Sequence, residues 1–222
     1  MSTALIIGAS RGIGHELARQ YKADGWRVIA TARKPEHLED LARLGAEAHQ
    51  LDVRNADSIA ALGWKLDDDK IDAAWLSAGV FGPRHDSFPT QHEFDEVMHT
   101  NVLAPMRLLP IVAPLVASTN GKLAVISSKM GSLEARHSTF GSTYRASKAA
   151  LNSVLRDAAI TYGSKGVTCV AFHPGWVKTD MGNETANLTP EESVRYLRAT
   201  LAGLPQSANG SFINYDGTPI PW

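Results

Sequence analysis

Short apolar runs alternate with segments of helical spacing from one end of the chain to the other. Runs at Thr3–Ile7, Trp26–Thr31, Ala46–Leu51, Ile71–Ser77, Lys122–Ser127, Val167–His173 and Ser211–Tyr215 predict strands. Between them, Gly12–Asp24, Pro35–Leu44, Ala56–Leu66, Thr90–Ala117, Thr143–Tyr162 and Pro190–Ala202 predict helices. Several runs are apolar without alternation, such as Ala4-Leu5-Ile6-Ile7 and Val170-Ala171-Phe172, which suits a parallel sheet covered on both faces. The order therefore predicts an α/β fold, a single doubly wound parallel sheet of about seven strands with right-handed crossovers and helices on both sides. Pro105, Pro110 and Pro114 fall inside the longest helical stretch and predict a break or kink near Asn101–Pro105.

Composition narrows the picture. The 222 residues suit one domain spanning 1–222, and no linker, repeat or low-complexity tract interrupts the alternation. A net charge of −1 argues against nucleic-acid binding, and 44% apolar side chains argue against disorder. Leu108–Ala117, the most apolar stretch, is short for a bilayer that takes about 20 residues, so no membrane span is expected. The single cysteine, Cys169, has no internal partner, and Met1 opens no basic–apolar leader, which together predict a cytoplasmic, reducing location. Asp67-Asp68-Asp69 reads as a solvated turn. No histidine or cysteine spacing suggests a metal, so none is expected.

Gly8-Ala9-Ser10-Arg11-Gly12-Ile13-Gly14 follows the first strand and opens the first helix. Glycines there allow a tight turn and close approach of backbone to a pyrophosphate, and the helix start offers free N–H groups, as in Rossmann-type domains. The spacing is G-x-x-x-G-x-G rather than G-x-G-x-x-G. Gly8-Ala9-Ser10-Arg11-Gly12 also matches the G-x-S-x-G elbow of serine hydrolases, but that motif leaves Gly14 without a purpose. A P-loop fails because His15 and Glu16 follow the last glycine. At the end of the second strand, where an acid would bind the ribose of NAD, the chain reads Ala30-Thr31-Ala32-Arg33-Lys34 with no carboxylate before Glu36. Arg33 and Arg11 supply two guanidiniums suited to a 2′-phosphate, so NADP(H) is the expected cofactor.

Tyr144 and Lys148 stand one helical turn apart on one face. An ammonium about 4 Å from a phenol attracts its anion by about 4 kcal/mol at an effective dielectric of 20. That would lower a tyrosine pKa by up to about 3 units, less the cost of desolvation. Ser127 and Ser128 close the preceding strand at the sheet's carboxyl edge, where open α/β folds bind ligands.

This ordered set resembles the short-chain dehydrogenase/reductase family over nearly the whole chain. Gly8–Gly14, with Ser10, Arg11, Gly12 and Ile13, is similar to the family's cofactor loop, and Asp52-Val53 to its adenine-contacting pair. Ser77-Ala78-Gly79 resembles the end of its Asn-Asn-Ala-Gly motif, although Leu76 and Ser77 replace the two asparagines. Asn101 resembles the active-site asparagine, and Ser128, Tyr144 and Lys148 resemble the catalytic serine, tyrosine and lysine. Pro174-Gly175-Trp176-Val177-Lys178-Thr179 resembles the nicotinamide clasp, with Pro174, Gly175, Val177 and Thr179 as contacts. Ser128 precedes Tyr144 by 16 residues, longer than in many members, and Ser127 and Ser132 stay open as alternatives. The segments around Tyr144 and His173, and the ending Asn214-Tyr215-Asp216-Gly217, resemble a branch holding sniffer carbonyl reductases and C-factor proteins.

The resemblance implies hydride transfer with Tyr144 as general acid, Ser128 orienting the carbonyl oxygen, Lys148 holding the ribose and lowering the tyrosine pKa, and Asn101 positioning a water. It also implies a homodimer through the helices carrying Asn101 and Tyr144. Loops Val80–Phe88, Lys129–Thr143 and Trp176–Thr189 offer Phe81, Met130, Leu133, Phe140, Trp176, Met181 and Leu188, predicting a largely apolar pocket for an aldehyde, ketone or quinone. His85 and His137 read as exposed loop residues. Trp222, with Pro219 and Pro221, is free to pack on the body or meet another subunit. The second function class is a nucleotide-binding regulator of the C-factor type that uses the fold without essential turnover.

Overall fold

The computed structural model describes residues 1–85 and 88–222. Its strands are β1 (Thr3–Ile7), β2 (Arg27–Ala32), β3 (Glu47–Gln50), β4 (Ala73–Leu76), β5 (Lys122–Ile126), β6 (Thr168–His173) and β7 (Ser211–Asn214). They form one parallel sheet in the order β3-β2-β1-β4-β5-β6-β7. The strand order reverses between β1 and β4, and the crevice outside their carboxyl ends is where such sheets bind ligands.

Side chains alternate across the sheet and divide the core in two. Leu5, Ile7, Cys169 and Ala171 face one side, where α3 (Ala56–Lys65), α5 (Ala104–Ala117) and α6 (Ser142–Gly163) pack. Ala4, Ile6, Val170 and Phe172 face the other, under α1 (Gly12–Ala23), α2 (Pro35–Arg43) and α7 (Pro190–Gly203). Phe172 stacks on Trp75 there, ring centroids 5.7 Å apart. Local chemistry sets the helix starts. Asn55 accepts from the Ser58 N–H, and Thr189 and Glu192 form a reciprocal cap ahead of Pro190.

The predicted break near Asn101–Pro105 is a π-helical turn instead. α4 (Gln91–Met98) runs through His99–Leu103 into α5 without interruption, and Pro110 and Pro114 sit within α5. The resulting 27-residue run Gln91–Ala117 is long and apolar enough to cross a membrane by length and composition alone. Its inner face is core: Leu108, Leu109, Val112, Ala113 and Val116 are buried against the sheet. The wider π turn aims Asn101 inward, where it is 1% exposed.

Candidate active site

A cleft of about 660 Å³ opens at the carboxyl edge of the sheet. Of the residues expected there, Gly8, Ser10, Arg11, Gly12, Ile13, Arg33, Asp52, Val53, Ala78, Gly79, Tyr144, Lys148, Pro174 and Thr179 line it. Gly14, Gly175, Val177, Asn101 and Ser128, also expected there, are not part of its lining.

Gly8 and Gly14 are both required by space, and Gly8 by φ as well. A Cβ on Gly8, where φ is +87°, would fall 2.7 Å from the Ala78 backbone; one on Gly14 would fall 2.1 Å from the Gly8 carbonyl oxygen. β1, β4 and the start of α1 therefore meet with no side chain between them, leaving a cradle of bare backbone that fits a pyrophosphate. Thr31, which the sequence reading passed over, ties the cradle to β2: its Oγ1 accepts from the Gly8 N–H at 3.0 Å. Only its place at the end of a strand signalled it. Gly175 (φ +84°) turns the chain after β6, and Val177 bridges to Leu188.

Of the three candidate serines, two are committed elsewhere. Ser127 Oγ donates to Asn152 Oδ1 at 2.6 Å, and Ser132 Oγ donates to the Pro221 carbonyl at 2.6 Å. Ser128 Oγ accepts from the Met130 N–H at 3.1 Å and stands beside the Tyr144 hydroxyl, whose pKa it lowers. The tail ending at Trp222 packs on the body: its carbonyl accepts from Leu133 and Glu134 N–H groups, and its ring lies near Phe212.

Burial drives the Tyr144 pKa up to about 12, and its neighbour Ser128 works against that rise. The Lys148 ammonium donates to the Ile126 carbonyl at 2.8 Å and lies 5.5 Å from the Tyr144 ring centroid. Burial brings the Lys148 pKa down to about 8. Asn101 clasps the neighbouring loop. Its Oδ1 accepts from the Val80 N–H at 2.9 Å, while its Nδ2 donates to the Val80 carbonyl and to Ser147 Oγ.

That clasp starts the loop that carries Phe81. Its ring stacks on Tyr144 at 4.6 Å between centroids and lies 5.7 Å from Phe140. Arg84 sits over Phe81 and donates to the Met181 carbonyl at 2.6 Å, tying this loop to the one after β6. Residues 86 and 87 of the expected loop Val80–Phe88 lie outside the described residues. Of the expected apolar lining, only Met181 reaches the main cleft; Met130 and Leu133 line a separate pocket of about 170 Å³. Arg33 is exposed at the cleft, whereas Arg11 is already paired with Asp180 at 2.6 Å. Among the described residues no group of three His, Cys, Asp or Glu side chains could hold a metal.

A profile for short chain dehydrogenase matches residues 2–189. A Burkholderia multivorans short-chain dehydrogenase/reductase structure with bound NADP superposes with a TM-score of 0.89 at 31% identity, covering 100% of this chain and 99% of that one. The carbonyl reductase Sniffer of D. melanogaster superposes with a TM-score of 0.89 at 28% identity over 100% of both chains. The C-signal protein of Myxococcus xanthus is 38% identical over 55% of this chain and 74% of its own length.

Proposed function

The chain belongs to the short chain dehydrogenase family, and from that premise we propose that it is an NADPH-dependent reductase of small, mostly apolar carbonyl compounds. The observation that carries this reading is the meeting of Ser128, Tyr144 and Lys148 beside a side-chain-free cradle. The cradle of Gly8 and Gly14 fits the pyrophosphate, and Arg33, with Arg11, would hold a 2′-phosphate. NADP in a structural relative supports that choice of cofactor.

A cofactor held by the Gly8–Gly14 cradle, Arg11 and Arg33 would supply the hydride for the carbonyl carbon. Tyr144, kept protonated by burial, gives its phenolic proton to the carbonyl oxygen as charge develops there. Ser128, beside the tyrosine hydroxyl, donates to and orients that oxygen. The buried Lys148 ammonium stabilises the phenolate left on Tyr144 and, in this proposal, holds the ribose. Asn101 fixes the loop that packs Phe81 on Tyr144. Phe81 and Phe140 beside the tyrosine favour an aldehyde, ketone or quinone. The proposal includes a homodimer through α4 and α6, which leave Phe94 and Ile160 exposed; a monomer by light scattering removes that part.

The test is oxidation of NADPH, with NADH in parallel, against a panel of aldehydes, diketones and quinones. Turnover with NADPH preferred supports the reductase. Tight NADPH binding without turnover on any compound favours a nucleotide-binding regulator, the reading that the likeness to the C-signal protein carries.

A further inference from the structure

Three guanidiniums line the cleft, and they differ in what they face. Arg54 reaches Glu96 at 3.5 Å. Arg33 meets no acid among the described residues. Arg11 Nη1 is held at 2.6 Å by Asp180 Oδ2, from a residue 169 positions away in the chain. Arg11 ends the glycine loop, and Asp180 sits on the loop after β6. The two loops therefore touch across the cleft; a Cβ on Gly12 would come 3.2 Å from Thr179 Cγ2.

Asp180 stands on a constrained turn. The Thr179 carbonyl accepts from both the Gly182 and the Asn183 N–H groups, and the base of the loop is closed by Lys178 N–H donating to the Leu188 carbonyl at 2.8 Å. The neighbouring residue, Met181, is pinned from the substrate side by Arg84. Asp180 thus presents its carboxylate to Arg11 from a shaped support.

We propose that Asp180 tempers the preference for the phosphorylated cofactor, as an internal competitor that occupies Arg11 until a 2′-phosphate displaces it. This rests on the NADPH reading above. The pair is weakly held, since both side chains are more than 70% exposed and such pairs contribute little in water. A phosphate monoester carries about −1.5 to −2 charges near neutrality against −1 for a carboxylate, and offers more acceptor oxygens to a guanidinium. Arg33, facing no acid among the described residues, stands ready as the second arm of the grip. NADPH can therefore take Arg11 from Asp180. NADH, with a ribose hydroxyl in place of the phosphate, cannot, and leaves the loops tied. The arginines supply the discrimination and Asp180 tempers it, because only the phosphorylated cofactor has to displace the carboxylate.

Titration of NADPH and NADH by nicotinamide fluorescence on the whole protein tests this, using wild type, Asp180→Asn, Arg11→Gln and the double variant. Both side chains are exposed, so folding is not at stake. Asp180→Asn should tighten NADPH by up to about fivefold, the span of exposed ion pairs, and leave NADH nearly unchanged. In the Arg11→Gln background the same substitution should have no further effect on NADPH. Unchanged or weaker NADPH binding by Asp180→Asn overturns the proposal, because the pair would then be inert or would close over bound cofactor. Equal tightening of NADH also overturns it, since Asp180 would merely repel any anion. Wild type that binds NADH as well as NADPH removes the NADPH reading, and the inference with it.

Discussion

The Phe81 ring lies on the Tyr144 ring, centroids 4.6 Å apart and planes 23° apart. Phe81 is thus part of the packing that leaves Tyr144 only 6% exposed and its pKa near 12. Phe81→Ala admits water to the phenol and brings its pKa back towards 10. Reduction needs the protonated tyrosine, so activity falls as pH rises through that pKa. The basic limb of the pH–rate profile should therefore move to lower pH in the variant; an unmoved limb would separate Phe81 from the acid.

The three serines separate by what each alanine substitution removes. Ser128→Ala should lower kcat by about 10²–10³, as loss of an oxyanion donor does. Ser127→Ala strands Asn152 Oδ1 and should cost about 1–3 kcal/mol of stability with kcat little changed. Ser132→Ala frees the Pro221 carbonyl and loosens the tail from the loop, which should appear in KM before kcat. Denaturant melts beside steady-state kinetics check all three.

Gly8→Ala places a Cβ 2.7 Å from the Ala78 backbone at φ +87°. Strain and overlap together should cost roughly 2 kcal/mol or more. Tm should fall by roughly 5 °C, and NADPH binding should weaken more than tenfold because the cradle opens. Calorimetry reads both quantities.

His173 is half-buried, its Nδ1 atom buried without a hydrogen-bond partner among the described residues, and desolvation brings its pKa down to about 4 from 6.5. Between those values the unfolded chain binds the proton and the folded chain does not. His173 therefore contributes stability above pH 6.5 that is lost as pH falls towards 4. Urea midpoints at pH 7 and pH 5 should differ less in His173→Gln than in wild type.

Much of this was legible along the chain because the signals are local. The strand β1, the glycine loop and the Tyr144–Lys148 turn depend on neighbours within a few residues, and their positions agree with the structure. The choice among Ser127, Ser128 and Ser132 was not legible, since it turns on partners far away: Asn152, Tyr144 and Pro221. The same holds for Asn101, whose clasp on Val80 spans 21 residues, and for Arg11, whose acid lies 169 residues on. The tyrosine pKa was misjudged for a related reason. Spacing placed an ammonium nearby but could not show that the Ile126 carbonyl holds it, or that burial outweighs attraction.

The central claim is that Tyr144 is the proton donor and not part of the cofactor grip alone. Its most direct test compares Tyr144→Phe with wild type in turnover on a reducible carbonyl and in NADPH dissociation constant. Turnover should fall by at least about 10² with NADPH affinity staying within a few-fold. Retained turnover in the phenylalanine variant would contradict it.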